Sequence, residues 1–323
     1  MTHAIRIHQY GGPEVLKWEE VQVRDVKPTE VRLRHTAVGL NYVEVVQRTG
    51  RFPFRLPFIP GNEAAGVVEA VGAEVSEFRV GDRVAYAPIP GSYSEARVIA
   101  ADRLVKIPDG ITDEMAAAMM LQGMTAQYLL RQIYKVGPGD VVLVQAAGGG
   151  MGAFLCQWAA ALGATVLGTV STEEKAEFAR ANGCHHPILY TRVDVPAEVK
   201  KITHGAMATV VYDAVGGDVL AGSIASARVR GHIVSYGNAA GPIPPLDVAS
   251  FGARGTLTLT RGTLASYTET RAGILECAND LFDVVRSGKV KIQTRQRFAL
   301  RDAADAHRAL EGRKTIGSTV MLP

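Results

Sequence analysis

The stretch VVLVQAAGGGMGAFLCQWAAALG, residues 141–163, decides the fold that this sequence predicts. Four apolar residues come first, a glycine-rich turn over residues 145–152 follows, and an alanine-rich run comes last. This order predicts a buried strand, a tight turn and a helix, and a second apolar strand begins at Thr165. Small residues in such a turn let a phosphate approach the backbone, and the free N–H groups of a helix N-terminus favour negative charge.

Two registers of the dinucleotide-binding pattern G-x-G-x-x-G/A fit this turn. One register has its small residues at positions 148, 150 and 153, and the other has them at positions 147, 149 and 152, with alanine first. The flanking strand and helix support dinucleotide binding in either register, so the sequence leaves both open.

The end of the second strand, TVLGTV, indicates which dinucleotide is bound. NAD-type sites carry Asp or Glu there for the ribose 2′-hydroxyl, whereas here Ser171 and Thr172 follow the strand and Lys175 comes one turn later. Two hydroxyls and a lysine suit a 2′-phosphate, so the sequence favours NADPH over NADH. Glu173 and Glu174 oppose this only if they point inward, and a solvated Lys175 is the alternative.

The rest of the chain predicts two kinds of domain. The first hundred residues read as short strands between turns, typical of a Greek-key or partly open barrel. From Val141 onward, apolar strands alternate with helices, which predicts a parallel sheet covered on both faces. We therefore predict an α/β protein with a Rossmann doubly wound parallel-sheet domain and a second, mostly β, barrel-like domain. The terminal GSTVMLP, residues 317–323, is expected to return to the first domain as an edge strand.

Composition narrows the class of protein. Of 323 residues, 47% are hydrophobic and 21% are charged, which indicates a globular chain of two domains. A net charge of +3 without a basic block argues against nucleic-acid binding as the main role. The three cysteines form no CxxC pair, which excludes a zinc knuckle and makes a disulfide framework improbable. No apolar run reaches the about 18 residues of a membrane span, and we expect a cytoplasmic protein.

Nine segments, in one order along the whole chain, carry a resemblance to a known family. They are GLNY (39–42), PGNEAAGVVEAVG (60–72), VGDRVAY (80–86), LQGMTAQYLL (121–130), QAAGGGMG (145–152), GTVSTEEK (168–175), YDAVGG (212–217), SYGNAAGPIPPLD (235–247) and RKTIGST (313–319). The chain thus resembles the quinone oxidoreductases, the zeta-crystallin-like, zinc-free branch of the medium-chain dehydrogenase/reductase superfamily. The resemblance implies a GroES-like catalytic domain over residues 1–120 and 265–323 and a Rossmann domain over 121–264. It also implies NADPH as the cofactor and a quinone as the substrate.

The resemblance also implies individual site residues. The phosphates would lie on the glycine turn, the 2′-phosphate near the end of the second strand, and the nicotinamide or ribose near residues from both parts of the chain. The cofactor residues implied in this way are Ala147, Gly148, Gly149, Gly150 and Met151 for the phosphates, Ser171 and Lys175 for the 2′-phosphate, Tyr190 and Arg313 for the adenosine end, and Asn41, Thr125, Tyr128, Asn238 and Leu264 for the remainder.

The residues at two positions argue against a catalytic metal. Zinc-dependent members of the superfamily carry a Cys early in the catalytic domain and a His in a GHE motif. This chain has Asn41 in GLNY and Asn62 in Gly61-Asn62-Glu63, and asparagine is a poor zinc ligand. We predict that the reaction needs no zinc. Glu63 is either a buried structural carboxylate or a catalytic one.

A quinone is a good electrophile, so positioning and one or two donors to the developing oxyanion are enough for catalysis. The candidate donors are Asn41 and Tyr42, with Tyr128 behind them, although Tyr42 could equally be a core aromatic of the barrel. Many relatives carry two tyrosines where this chain has Val46 and Phe52. We therefore predict a more apolar substrate side.

Two other functions stay open. An NADPH-dependent enone or alkenal reductase needs a positioned proton donor, so the loss of both tyrosines slightly disfavours it. A nucleotide-responsive RNA-binding or structural protein is less favoured because no basic stripe is present. We also expect a homodimer, paired through the apolar segment TLTLTR, residues 256–261, at the edge of the Rossmann sheet.

Overall fold

The computed structural model describes residues 1–312 and 314–323. Its strands are β1 (Thr2–Arg6), β2 (Lys17–Val21), β3 (Glu30–Leu40), β4 (Ala64–Val71), β5 (Arg83–Tyr86), β6 (Ala96–Ala100), β7 (Val105–Lys106), β8 (Val141–Val144), β9 (Thr165–Val170), β10 (His186–Leu189), β11 (Ala208–Asp213), β12 (Ala227–Ser235), β13 (Thr258–Arg261), β14 (Thr294–Ala299) and β15 (Ser318–Leu322). Its helices are α1 (Tyr42–Arg48), α2 (Asp113–Ala117), α3 (Met120–Gln127), α4 (Gly150–Ala161), α5 (Glu173–Ala181), α6 (Val195–Ile202), α7 (Val219–Ala225), α8 (Ala249–Ala253), α9 (Leu264–Tyr267), α10 (Arg271–Arg286) and α11 (Ala303–Glu311). A π-helical turn over Tyr128–Ile133 follows α3.

The chain forms two compact units. Unit 1 comprises Met1–Met124, Thr268–Phe282 and Ile292–Pro323. Unit 2 comprises Thr125–Tyr267 and Asp283–Lys291. The domain boundaries that the resemblance implies, residues 1–120 with 265–323 and residues 121–264, stay a prediction.

Unit 2 is built on a parallel sheet in the order β10-β9-β8-β11-β12-β13. The first strand of this unit in the sequence is β8, so the order is 3-2-1-4-5-6, which is the order of a doubly wound dinucleotide-binding sheet. The predicted Rossmann fold is confirmed. The strand order reverses between β8 and β11, and ligands of such sheets bind at the carboxyl ends of the strands at this point. The glycine turn directly follows β8.

Unit 1 is mostly β structure. Its main sheet runs β14-β15-β3-β4-β5-β7, with β6 also paired to β3, and β1 and β2 form a separate antiparallel pair. Leu33, Val68, Tyr86 and Met321 lie in its apolar core. The 11-residue strand β3 ends at Leu40, and Asn41, the N-cap of α1, follows directly. Asn41 is therefore held at the end of a well-paired strand.

The expected edge strand at residues 317–323 is wrong in one respect. The segment does return to unit 1, but β15 lies inside the sheet, parallel to β14 on one side and antiparallel to β3 on the other. Four of its five residues are buried, and both of its edges are paired. Strand β14 takes the edge position instead.

Two further features concern the cysteines and the lengths of the helices. Cys156, Cys184 and Cys277 are buried and free of disulfide bonds. The neighbouring Cys184 thiol and burial raise the pKa of the Cys156 thiol well above its ordinary value, so this thiol stays protonated. Within residues 1–312 and 314–323, every helix is too short or too polar to cross a membrane.

Candidate active site

The structure selects one register of the glycine turn. A Cβ on Gly152 would lie 2.5 Å from the carbonyl oxygen of Ala146 and 2.6 Å from Cα of Ala147, so α4 touches the turn backbone to backbone. A Cβ on Gly149 would meet only the Ala146 oxygen, at 3.6 Å. Close packing of helix on strand is the task of the third small residue in the pattern. The register is therefore the one with small residues at positions 147, 149 and 152.

The turn fits the diphosphate of a dinucleotide. Gly149 is the N-cap of α4, and the first turn of this helix has no acidic side chain. The first N–H groups of a helix have no partner within it, and they point at whatever lies beyond its N-terminus. A turn without side-chain bulk and a helix N-terminus without competing carboxylates are what a diphosphate requires.

Lys175 lies against this turn. A Cβ on Gly148 would come within 2.8 Å of Cβ of Lys175, so the lysine stem packs directly on the glycine. Its backbone N–H donates to Oγ1 of Thr172, the N-cap of α5, at 3.3 Å. In the part of the chain that the structure describes, no carboxylate forms an ion pair with Lys175. Its ammonium group is thus available to an anion near the glycine turn.

The two glutamates next to Lys175 are exposed. Oε1 of Glu173 lies 2.7 Å from Nη1 of Arg192, which holds this carboxylate on the surface. Tyr190 is 46% exposed, and its N–H donates to the Val170 oxygen at the end of β9 at 3.2 Å. Ser171, Lys175 and Tyr190 therefore share the carboxyl edge of the sheet. Arg313 lies outside the described residues, and its predicted place stays untested.

Three further predicted residues lie on α3, in the π-helical turn that follows it, and on α9. Tyr128 is buried, and its ring stacks on Tyr267 with centroids 4.4 Å apart. Tyr267 ends the short helix α9, which begins at Leu264. Thr125 lies half-buried on α3. The roles of Tyr128, Leu264 and Thr125 stay predictions.

Asn41, in unit 1, is held by two side chains. It is the N-cap of α1, and its Nδ2 donates to Oε1 of Glu63 at 2.6 Å. Its Oδ1 accepts from Nε2 of Gln122 at 3.0 Å, and the other oxygen of Glu63 accepts from the backbone N–H of Leu121 at 2.7 Å. An amide NH2 carries two N–H groups, and Glu63 takes one of them. Asn41 can therefore donate its second N–H to a ligand in a fixed orientation.

Asn62 belongs to a second buried network. Its Nδ2 donates to Oε1 of Glu44 at 2.6 Å, and Oε2 of Glu44 accepts from the backbone N–H of Asn41 at 2.6 Å. The side-chain amides of Asn41 and Asn62, which stand where zinc-dependent members carry Cys and His, are thus both committed to carboxylates. This donor set does not fit zinc. Among the described residues, no three His, Cys, Asp or Glu side chains are grouped to hold a metal ion. A zinc-free reaction stays our prediction.

Burial changes the acidity of these two carboxyl groups. Desolvation raises the pKa of Glu44 to about 8, and the nearby Glu63 raises it further, against hydrogen bonds that lower it. Desolvation likewise raises the pKa of Glu63 to about 7, against the hydrogen bonds from Asn41 and Leu121. Glu63 is 1% exposed and has both oxygens occupied, which supports the structural interpretation of this residue.

We expect the free energy of unfolding to fall by about 1–2 kcal/mol between pH 6.5 and 8. The folded pKa values of Glu44 and Glu63 lie above the ordinary value of 4.5, so the folded protein holds more protons than the unfolded chain and loses stability as the pH rises through this range. The buried His35 and His307 have pKa values lowered to about 3 by desolvation. In the unfolded chain these imidazoles are half protonated near pH 6.5, so over this range they act in the opposite direction and offset about 1 kcal/mol of the fall. Denaturant unfolding at both pH values measures the difference.

The variant Glu44→Gln is the control for this pH dependence. Because Gln does not titrate, the difference in unfolding free energy between pH 6.5 and 8 should shrink to less than half, whatever the absolute stability. An unchanged difference in the variant, or a rise in stability toward pH 8 in the parent protein, would contradict the assignment.

Tyr42 is not a core aromatic, because 38% of it is exposed on α1. The two positions where many relatives carry tyrosine lie together: the N–H of Phe52 donates to the oxygen of Val46 at 3.3 Å. Phe52 is 58% exposed and Val46 is half-buried. An apolar surface thus continues from the outer face of α1, and the donor role of Tyr42 stays a prediction.

Sequence reasoning missed a set of buried polar residues in unit 2. Gln145, Thr169, Ser223 and Asp213 are each at most 4% exposed and hydrogen-bond to one another. Three of them lie at or near the carboxyl ends of the neighbouring strands β8, β9 and β11. A polar residue at the end of an otherwise apolar strand is the signal that could have found them.

Known proteins match the chain over its whole length. Residues 27–109 match the family model of the alcohol dehydrogenase GroES-like domain, and residues 150–279 match that of the zinc-binding dehydrogenases. The chain is 47% identical to a quinone oxidoreductase of Pseudomonas aeruginosa, covering 100% of both chains, and 47% identical to a 2-haloacrylate reductase of a Burkholderia species, covering 100% of this chain and 99% of that one. The solved structure of Escherichia coli quinone oxidoreductase complexed with NADPH superposes with a TM-score of 0.97 at 39% identity, over 99% of this chain and 100% of that one.

A GroES-like domain joined to a Rossmann domain defines the class of medium-chain dehydrogenases/reductases, and both parts are present here. Within that superfamily, the chain belongs to the quinone oxidoreductase family.

Proposed function

We propose that this chain reduces quinones with NADPH, by transfer of a hydride and without a metal. The observation that carries this proposal is the packing of Lys175 against Gly148 in the glycine turn. No acidic residue stands at the end of β9, where an NAD-type site would carry one. NADPH, when bound, supplies the hydride. The family supports the substrate, since the relatives in Pseudomonas aeruginosa, Salmonella typhimurium and Escherichia coli are quinone oxidoreductases.

The residues of unit 2 hold the cofactor in this proposal. The turn from Ala147 to Met151 receives the diphosphate through backbone N–H groups and the positive end of α4. Ser171 and Lys175 take the 2′-phosphate, and Tyr190 flanks the adenosine. Thr125, Asn238 and Leu264 orient the ribose and nicotinamide side.

The residues of unit 1 act on the substrate. Asn41, fixed by Glu63 and Gln122, donates its second amide N–H to the oxygen on which negative charge develops. Tyr42 is a second donor from the exposed face of α1. In unit 2, Tyr128 supports the nicotinamide side. Solvent supplies the final proton, so the chain needs no dedicated acid.

The function is tested with EDTA-treated protein and 1,4-benzoquinone, by the loss of absorbance at 340 nm against a blank without enzyme. We expect rapid oxidation of NADPH, slow oxidation of NADH and no effect of EDTA. Tight binding of NADPH without turnover would leave the cofactor assignment intact and overturn the quinone assignment. Loss of activity with EDTA that added zinc restores would overturn the metal-free reaction.

Reduction of an activated carbon–carbon double bond is the second candidate. The observation that favours it is the 2-haloacrylate reductase at 47% identity. Incubation with NADPH and either an alkenal or 2-chloroacrylate separates the two functions by product analysis. A saturated product formed faster than any quinone is reduced would reverse our ranking.

We further propose a cytoplasmic homodimer that pairs through β13. Among the described residues this strand bonds only to β12, on one side, and Leu259 within it is 37% exposed. Light scattering should give twice the chain mass of 34.5 kDa, and Leu259→Lys should reduce it to one chain mass at micromolar concentration. A parent protein of 34.5 kDa would refute the dimer, and a dimeric variant would refute the interface.

A further inference from the structure

A directional chain of hydrogen bonds runs beneath the glycine turn. The backbone N–H of Ala146 donates to Oγ1 of Thr169 at 3.0 Å, and that hydroxyl donates to Oε1 of Gln145 at 2.7 Å. Nε2 of Gln145 donates to Oγ of Ser223 at 2.9 Å, and this hydroxyl donates to Oδ2 of Asp213 at 2.7 Å. Each hydroxyl accepts one hydrogen bond and donates one, so this series of hydrogen bonds must end on a group that only accepts, the Asp213 carboxylate. We call these five residues the relay; its four side-chain members are buried.

Asp213 also anchors a second loop. Its Oδ1 accepts from the backbone N–H groups of Val215 at 2.8 Å and Gly216 at 2.9 Å. This loop supports the segment that carries Asn238: a Cβ on Gly216 would lie 3.0 Å from Cα of Asn238, and the N–H of Ala240 donates to the oxygen of Val215 at 2.9 Å. One carboxylate therefore holds both the end of the relay and the loop behind Asn238.

The relay also explains the backbone of Ala146. This residue has a φ of 58°, in the left-handed region that residues other than glycine rarely adopt. Its strained conformation persists because the Thr169 hydroxyl fixes its N–H and the Thr169 oxygen accepts from the N–H of Ala147 at 2.9 Å. The first residues of the diphosphate turn are thus held from below by side chains that lie outside the turn.

We infer that Asp213, Ser223, Gln145 and Thr169 are positioning residues for the cofactor, which fix the glycine turn and the Asn238 loop relative to each other. They act on both the diphosphate and the nicotinamide side without touching either. A buried carboxylate is costly unless every lone pair has a donor, so the relay has one stable arrangement instead of several. That the cofactor is NADPH rests on the proposed function.

The test compares two serines, one within α7 and one that caps its C-terminal end. Ser223→Ala interrupts the relay at its centre, whereas Ser226→Ala removes an equally buried hydroxyl at the end of α7, which donates only to the oxygen of Gly222 at 2.7 Å. We expect the Kd for NADPH, measured by calorimetry, to rise about tenfold in Ser223→Ala and to stay within twofold in Ser226→Ala. Denaturant unfolding of both variants checks that they lose similar stability. A Kd that changes equally in the two variants would overturn the inference.

Thr169 supplies an independent pair of variants if Ser223→Ala does not fold. Thr169→Val keeps the volume and loses the hydroxyl, and it should weaken NADPH binding about tenfold, while Thr169→Ser restores the hydroxyl and the affinity. If both residues act through one relay, the double variant Thr169→Val with Ser223→Ala should bind NADPH no more weakly than either single variant. Additive losses of binding free energy would contradict the relay.

The parent protein separates this inference from the function on which it rests. A parent that binds neither NADPH nor NADH would overturn the proposed function and the inference with it. A parent that binds NADPH, with Thr169→Val binding equally tightly, would overturn the inference alone.

Discussion

Gly152→Ala is expected to abolish NADPH-dependent quinone reduction and to lower the stability of unit 2 by about 1–3 kcal/mol. The new Cβ would lie 2.5 Å from the Ala146 oxygen and 2.6 Å from Cα of Ala147. These are backbone atoms, so they cannot rotate aside as the end of a side chain can. The helix must move away from the turn, and the diphosphate cradle opens. Denaturant unfolding and NADPH calorimetry measure the two effects.

Gly222→Ala is the matched control for this variant. It is also a glycine within a helix of unit 2, but in the described part of the chain no neighbouring atom outside that helix lies within 4 Å of the Cβ that it would gain. Alanine is the better helix former, so the control should gain about 0.5–1 kcal/mol and bind NADPH as the parent does. A Gly152→Ala variant that is as stable as the parent and binds NADPH with unchanged Kd would refute the register that we assign to the turn.

Lys175→Ala should raise the KM for NADPH about tenfold to a hundredfold and leave the KM for NADH unchanged. The lysine stem packs on Gly148, and the residues before it at the end of β9 are hydroxyls instead of an acid. The effect should be confined to the cofactor that carries a 2′-phosphate, because only that group meets the ammonium. Initial rates with 1,4-benzoquinone and each cofactor measure the preference.

Lys200→Ala provides the control, since Lys200 is exposed on α6 and lies in the same unit. It should leave both KM values unchanged, which excludes a general effect of losing one positive charge. Equal rises in the KM for NADPH and NADH in Lys175→Ala would show that the lysine supports the turn without recognising the 2′-phosphate.

Several features of the site followed from the sequence because they depend on neighbours in the chain. The strand, turn and helix around residues 141–163 read directly from apolar and small residues. The hydroxyls and the lysine after β9 could be recognised because they stand where an NAD-type site would carry an acidic residue. The replacement of zinc ligands by Asn41 and Asn62 needed only the residue types, since asparagine is a poor zinc ligand in any fold.

Other features of the fold and of the site could not be predicted from the sequence. The sequence left two registers of the glycine turn open because both have small residues at the required spacing. The predicted edge position of β15 was wrong because a short strand sequence looks the same with one paired edge or two. The exposure of Tyr42 was open because aromatic residues occur both in cores and at binding surfaces.

What the sequence by itself determined is the succession of a barrel-like part and a doubly wound part and the glycine-rich turn between strand and helix, since each depends on local order and residue type. The preference for a 2′-phosphate stays a prediction from residue type. Only the tertiary structure decided that Gly152 is the close-packing glycine, that Glu63 and Gln122 orient Asn41, and that a relay joins Ala146 to Asp213. The relay and the partners of Asn41 join residues 10 to 81 positions apart. The physical reason is that hydrogen bonds and steric contacts depend on distances in space, and strand pairing sets these distances independently of separation along the chain.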